Sequence, residues 1–124
     1  MSVFLNGRFM PDAEATVSVF DRGFVFGDGV YELVPVYSRQ PFRLDEHLRR
    51  LQASLDGIRL ANPYGMNGWR DLIQQLVELH DFADQSVYLQ VTRGVAPRDH
   101  PFPKGVPPTV FMFAMLSAMT ERSV

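Results

Sequence analysis

The residues most suited to chemistry lie in the segment Arg93-Gly94-Val95-Ala96-Pro97-Arg98-Asp99-His100. With Arg98–His100 extended, Arg98 and His100 project to one side and Asp99 to the other. A guanidinium fork beside an imidazole suits a carboxylate ligand, because Arg can bond both oxygens and His adds a donor. The plainer alternative is a solvated charged loop. Five of the nine prolines (Pro97, Pro101, Pro103, Pro107 and Pro108) fall in Gly94–Pro108. They stiffen that stretch, so its polar groups are presented in a defined way.

A second group centres on Arg50, which lies with His47 and Ser54 on one flank of a leucine-rich helical stripe. The same fork geometry could hold a phosphate at Arg50, or the side chain could snorkel into solvent. His47 is either its supporting partner or a boundary histidine. Glu32 sits on a predicted strand as either a general base or a paired structural acid. His47, His80 and His100 have no metal-ligand spacing, and the chain has no Cys, so disulfides and thiolate chemistry are excluded. No nucleophile-elbow, P-loop or zincin pattern occurs.

The stretch that must position these residues is Asp21–Glu32, DRGFVFGDGVYE, with three glycines among Phe24, Phe26 and Tyr31. Its glycine spacing does not match a dinucleotide-binding loop, and a strand follows rather than a helix. That strand, Val30–Tyr37, places Tyr31, Leu33, Pro35 and Tyr37 on one face and Val30, Glu32, Val34 and Val36 on the other. Pro35 cannot donate to a ladder, so it predicts a sheet edge or a bulge. Asn6-Gly7 between Val3–Leu5 and Arg8–Met10 predicts a type I′ hairpin, and Thr16–Phe20 a short extended piece. Leu44, Leu48, Leu51, Leu55 and Ile58 predict a helix over Leu44–Leu60, with Asp45 as its N-cap. A second helix, about Asn67 to His80, is expected to bury Trp69, Leu72, Ile73, Leu76 and Leu79. Val87–Arg93 alternates, with Arg93 on the face of Val87, Leu89 and Val91. Thr109–Leu116 reads as a strand buried on both faces. The sum is one α+β domain: a mostly antiparallel sheet with two helices packed on one face.

Composition bounds the partners. With 124 residues, a net charge of −2 and a pI near 5.8, the chain resembles an ordinary soluble globule and offers nothing to nucleic acid or to an anionic membrane. No stretch has the apolar core of a signal peptide or the length of a membrane span, so a cytoplasmic location is expected.

Three motifs together carry a resemblance. Phe20-Asp-Arg-Gly-Phe-Val-Phe-Gly-Asp-Gly-Val-Tyr-Glu32, then Glu46-His47-Leu48-Arg49-Arg50-Leu51 with Ser54, then Arg93-Gly94 through Arg98-Asp99-His100 resemble the N-terminal domain of the class IV (fold-type IV) PLP-dependent aminotransferases. Within that family the pattern is most similar to the D-amino-acid aminotransferases. The resemblance implies that Arg50 holds the phosphate of pyridoxal 5′-phosphate and that Tyr31 binds substrate carboxylate. It implies that Leu33 lines the pocket and that Arg98 and His100 complete a carboxylate trap reaching across a homodimer. Substrates would be D-amino acids and 2-oxo acids. The family's Schiff-base lysine has no counterpart here, since the single lysine, Lys104, lies just past the trap motif. Residues 1–124 are therefore expected to be the N-terminal half of the enzyme, without the C-terminal PLP-lysine domain and with no catalytic residue of their own. On that reading the half alone is inactive. Sister activities of the fold, branched-chain L-aminotransferase or aminodeoxychorismate lyase, are the alternative, and the Arg98–His100 pair speaks against both. A stand-alone dimerisation or anion-binding domain is the non-enzymatic alternative.

Overall fold

The computed structural model describes residues 1–117; residues 118–124, the tail of the expected domain 1–124, lie outside the described residues. The chain builds β1 (Ser2–Leu5), β2 (Arg8–Pro11), α1 (Arg22–Phe26), β3 (Gly29–Tyr37), β4 (Gln40–Pro41), α2 (Leu44–Gly57), α3 (Gly65–Glu78), β5 (Gln85–Thr92) and β6 (Thr109–Leu116). The strands form a six-stranded sheet in the order β2-β1-β6-β5-β3-β4, with every pair antiparallel. The helices α2 and α3 cover one face, so the expected α+β architecture is the one observed.

The core follows from alternation meeting helical periodicity. Val34 and Val36 of β3, Val87, Leu89 and Val91 of β5, and Val110, Met112 and Ala114 of β6 point at Leu48, Leu51 and Leu55 of α2 and Trp69, Ile73, Leu76 and Val77 of α3. Each buried Val, Leu or Ile contributes about 1.5–3 kcal/mol, set against the entropy of ordering it. Trp69 is wholly buried, and its indole N–H donates to Asn62 Oδ1 at 2.7 Å. The same oxygen accepts from the backbone N–H groups of Tyr64 and Gly65, which fixes the turn between the helices.

Pro35 sits where its ring does no harm. Its carbonyl accepts from the Phe42 N–H at 2.7 Å, so the main-chain polar groups of residue 35 face the β4 side and not β5. The two-residue β4 leaves most of that margin of β3 unpaired, which agrees with the edge that Pro35 predicts. Asn6 and Gly7 both take positive φ, 48° and 93°, as a type I′ hairpin requires.

Several expectations need correction. The Gly-rich stretch holds a helical turn that the sequence does not announce: Arg22–Phe26 form it, capped by Asp21, whose Oδ1 accepts from the Gly23 N–H at 2.8 Å. Thr16–Phe20 forms no strand. Asp45 does not cap α2. Arg43 occupies the N-cap without a side-chain capping bond, its guanidinium donating instead to Glu46, and Asp45, inside the first turn, accepts from Arg70 Nη2 at 2.6 Å to tie α2 to α3. The helix α2 ends at Gly57 rather than Leu60, and α3 begins two residues early; Leu79 lies past its end and is exposed. Finally, β6 is fully buried on one face only: Phe111, Phe113 and Met115 lie on the helix-free face, where Phe111 and Phe113 are half-buried and Met115 is exposed.

Candidate active site

Glu32 is buried, and its two oxygens organise the first cluster. Arg50 Nε donates to Oε2 at 2.8 Å and Arg50 Nη2 to Oε1 at 2.9 Å. His47 Nδ1 lies 2.9 Å from the same Oε1. The spacing of His47 and Arg50 on α2 puts both over the β3 residue whose side chain points at the helix layer. Burial pushes the Glu32 carboxyl up, but the hydrogen bonds and charges of Arg50 and His47 outweigh it and leave it below the ordinary value. In return the carboxylate raises the pKa of Arg50. Of the two roles open to Glu32, the structure shows the paired acid.

Arg50 spends only Nε and one Nη2 hydrogen on Glu32, and its side chain remains 67% exposed. The remaining N–H groups form the outer edge of an oriented, always-charged fork, which is what a phosphate requires. The residue therefore fits the anchor role that its motif implies.

One residue before Glu32 along β3, Tyr31 points to the opposite, helix-free face, 65% exposed. Leu33 shares that face and is also exposed. The Tyr31 ring stacks on Tyr88 at 5.8 Å, and Tyr88 continues to Phe113 at 5.3 Å. Burial, with Tyr31 nearby, raises the Tyr88 phenol, which donates to Gln90 Oε1 at 3.0 Å. A hollow of about 270 Å³ runs from Gly23, Gly27 and Gly29 to Tyr31, Tyr88 and Gln90. Gly29 makes that close approach possible: a Cβ there would stand 2.7 Å from the Val91 carbonyl oxygen.

Arg98 and His100 meet at a different place, the ring of Phe26. The Arg98 guanidinium lies over it at 5.0 Å and the His100 ring stands 5.9 Å away. Both side chains reach that one ring, although Arg98 and His100 lie at bends and not in the extended segment expected of them. Among the described residues no hydrogen bond or ion pair joins this group to Tyr31, Leu33 or Arg50. The five expected site residues are not brought together: Arg50 belongs to the Glu32 cluster on the helix side of β3, Tyr31 and Leu33 lie on the opposite face of that strand, and Arg98 and His100 form a second cluster at Phe26.

Behind the second cluster lies a network that sequence reasoning missed. Asp28 Oδ2 accepts from Arg22 Nε at 2.9 Å and from Arg93 Nε at 2.8 Å. Arg22 also donates from Nη1 to the Asp99 carbonyl at 2.7 Å. Arg93 bonds the Ile58 and Arg59 carbonyls, a cation closing the C-terminus of α2. Burial raises the Asp28 carboxyl, and its bonds to Arg93 and Arg22 more than reverse this, so it ionises below the ordinary value. One signal was available: alternation puts Arg93 on the buried face of its strand, and a buried guanidinium needs an acid. The signal does not say which acid. Lys104 is exposed in the same proline-rich loop. The described residues contain no group of acids and histidines able to hold a metal ion, and no helix long and apolar enough to cross a membrane.

Comparison with known proteins bears on both clusters. A family model described as amino-transferase class IV matches residues 29–123. The D-alanine aminotransferase of Bacillus licheniformis is 41% identical over 122 residues, covering 98% of this chain and 43% of its own length. Among solved structures, a branched-chain aminotransferase from Thermoproteus uzoniensis with norvaline superposes with a TM-score of 0.81 at 27% identity, over 93% of this chain and 40% of that one. The branched-chain amino acid aminotransferase from Escherichia coli gives a TM-score of 0.86 at 19% identity, over 92% and 40%, a likeness of fold alone. The chain spans only 40–43% of the length of these first curated relatives.

Proposed function

This chain belongs to the class IV amino-transferases, and from that membership we propose that the whole protein exchanges amino groups between D-amino acids and 2-oxo acids with pyridoxal 5′-phosphate. The sheet with two helices on one face is the N-terminal domain architecture of the fold-type IV enzymes. The observation that carries the substrate class is the meeting of Arg98 and His100 at Phe26. A fork and an imidazole on one side of a stiff loop present several donors to a single carboxylate. The D-amino-acid preference is supported by the relatives named D-alanine aminotransferase. The choice of cofactor is supported by a branched-chain relative of the same fold solved with pyridoxamine 5′-phosphate.

The cofactor, when bound, supplies the electron sink that makes amino transfer possible. This chain's residues do the holding. Arg50, anchored by Glu32, grips the phosphate. Tyr31 and Leu33, on the helix-free face of β3, form the substrate wall, with the phenol turned to the substrate carboxylate. Arg98 and His100 close on the same carboxylate from a second copy of the chain in a homodimer. Lys104 is not proposed as the amine that carries the cofactor, because it is exposed in a loop and contacts neither cluster. That amine is proposed to lie in the part of the protein outside residues 1–124.

The full-length protein is expected to convert D-alanine and 2-oxoglutarate to pyruvate and D-glutamate. No exchange in that assay overturns the proposal. The branched-chain reading has one observation in its favour, the solved structures of that activity. Preference for L-leucine over D-alanine, with Arg98→Ala leaving substrate affinity intact, would establish it instead.

A further inference from the structure

Residues 97–104 carry the carboxylate trap but belong to no strand or helix. Among the described residues, a single hydrogen bond ties this segment to the rest of the chain: Arg22 Nη1 to the Asp99 carbonyl, at 2.7 Å. Asp99 is the residue between the two that trap. Its own side chain turns inward to accept from the His100 N–H at 2.8 Å, which shapes the loop but does not attach it.

The other attachments are aromatic. Phe26, last residue of α1, lies under the Arg98 guanidinium at 5.0 Å and the Arg22 guanidinium at 4.6 Å. His100 stands beside the same ring. Further along the loop, the Phe102 ring packs on the Arg93 guanidinium at 3.7 Å and holds the segment beyond the trap. Phe26 can serve as a fixed platform because Gly27, in the left-handed conformation at φ 65°, stops the helix directly after it. Arg22 can serve as a fixed donor because it is almost fully buried and its Nε is held by Asp28. Asp28 is held in turn by Arg93, whose backbone N–H also donates to the Asp28 carbonyl at 3.1 Å. The end of β5 is thus connected through Arg93, Asp28 and Arg22 to the trap by successive hydrogen bonds.

We infer that Phe26 and Arg22 are positioning residues for the Arg98–His100 pair, fixing where a substrate carboxylate is met. This rests on the proposed carboxylate role of Arg98 and His100 and adds to it the residues that hold them. Removing the platform leaves both side chains present but no longer aimed, so it weakens ground-state and transition-state binding alike. Such a loss raises KM and spares kcat.

The test is a double-mutant cycle in the full-length holoenzyme with Phe26→Leu, Arg98→Ala and the pair. The readouts are KM and kcat for 2-oxoglutarate and the Kd of propionate, a non-reacting carboxylate. Phe26→Leu is expected to raise KM and the propionate Kd roughly tenfold with kcat within about twofold, the size of one cation–π contact in a partly desolvated site. In the Arg98→Ala background it should cost clearly less than in the parent, only the share that acts through His100, and Phe26→Tyr should restore affinity. The inference is overturned if Arg98→Ala raises KM while Phe26→Leu does not, or if the two effects multiply independently. If Arg98→Ala leaves KM unchanged, the carboxylate reading itself falls and the positioning role goes with it. Phe26→Met is the second variant. Loss of the fold in both would show the ring to be a core residue and reject the role.

Discussion

Buried Glu32 and partly buried Asp28 are each paired with guanidiniums, and their titration contributes to the acid limit of the fold. Both carboxyls have folded pKa values below their ordinary 3.8 and 4.5. The folded state therefore binds fewer protons than the unfolded one in that range. The stability these groups supply is whole above the ordinary carboxylate values and is lost as pH falls through the lower folded ones. Urea midpoints are expected to hold between about pH 7 and 5 and to fall steeply below about pH 4. Asp28→Asn should lower the midpoint at pH 7 and flatten the acid limb, because two buried guanidiniums would lose their shared counter-charge. An acid limb as steep in the variant as in the parent would count against this. Of these contacts the sequence discloses only the half carried by helical spacing. His47 and Arg50 share a flank of one helix, and Glu32 faces the helix layer by alternation. Arg93 and Asp28 are 65 positions apart, a pairing that local pattern does not reach.

The strand β3 shows how element-level rules are read and where they stop. Alternation assigned its two faces correctly, and Pro35 signalled an unpaired margin. Because residue 35 faces β4, Pro35→Ala removes no ladder bond and should cost less than about 1 kcal/mol, through the looser unfolded chain. Val34, one position away, faces β5 opposite Val87 and is fully buried. Val34→Pro should cost about 2–4 kcal/mol by denying that ladder a donor and leaving an acceptor unpaired. Equal effects of the two substitutions in chemical denaturation would show the strand to be paired the other way. Cap assignment fared worse. Asp45 is a good capping type, but Arg70 of α3 offers it an ion pair that the local sequence does not contain. The strand β6 misled for a related reason: Phe111 and Phe113 stack on each other at 5.4 Å on the open face, so apolar character did not mean burial within this chain.

At the scale of the molecule, one face of the sheet is covered and the other is not. On that uncovered face Tyr31, Leu33, Phe24 and Met115 are exposed, and the stacked Phe111, Phe113 and Tyr88 are partly so. A contiguous aromatic face of this kind is suited to being buried by another surface. A polypeptide of these 124 residues alone is expected to self-associate with rising concentration. Phe113→Lys should shift the sedimentation profile toward the monomer. A monodisperse monomer at high concentration for the parent would overturn this. Composition suggested a single domain of ordinary hydrophobicity, and periodicity supplied two helices and a sheet. Strand order was beyond both, because it depends on pairings between the ends of the chain.

That order has a consequence for how the chain acquires its shape. β6, the last strand, lies between β1 and β5, pairing Phe4 with Met112 on one side and Gln85 with Leu116 on the other. The β1–β2 hairpin is made first but touches no other strand until β6 arrives, and an isolated two-stranded hairpin is marginal in water. During synthesis the N-terminal strands must wait for residues 109–116, and closing so long a loop slows folding. β6 acts as a keystone set last: a chain halted before Thr109 would hold a tethered hairpin and an unfinished β3–β5 layer, and not a smaller version of the sheet.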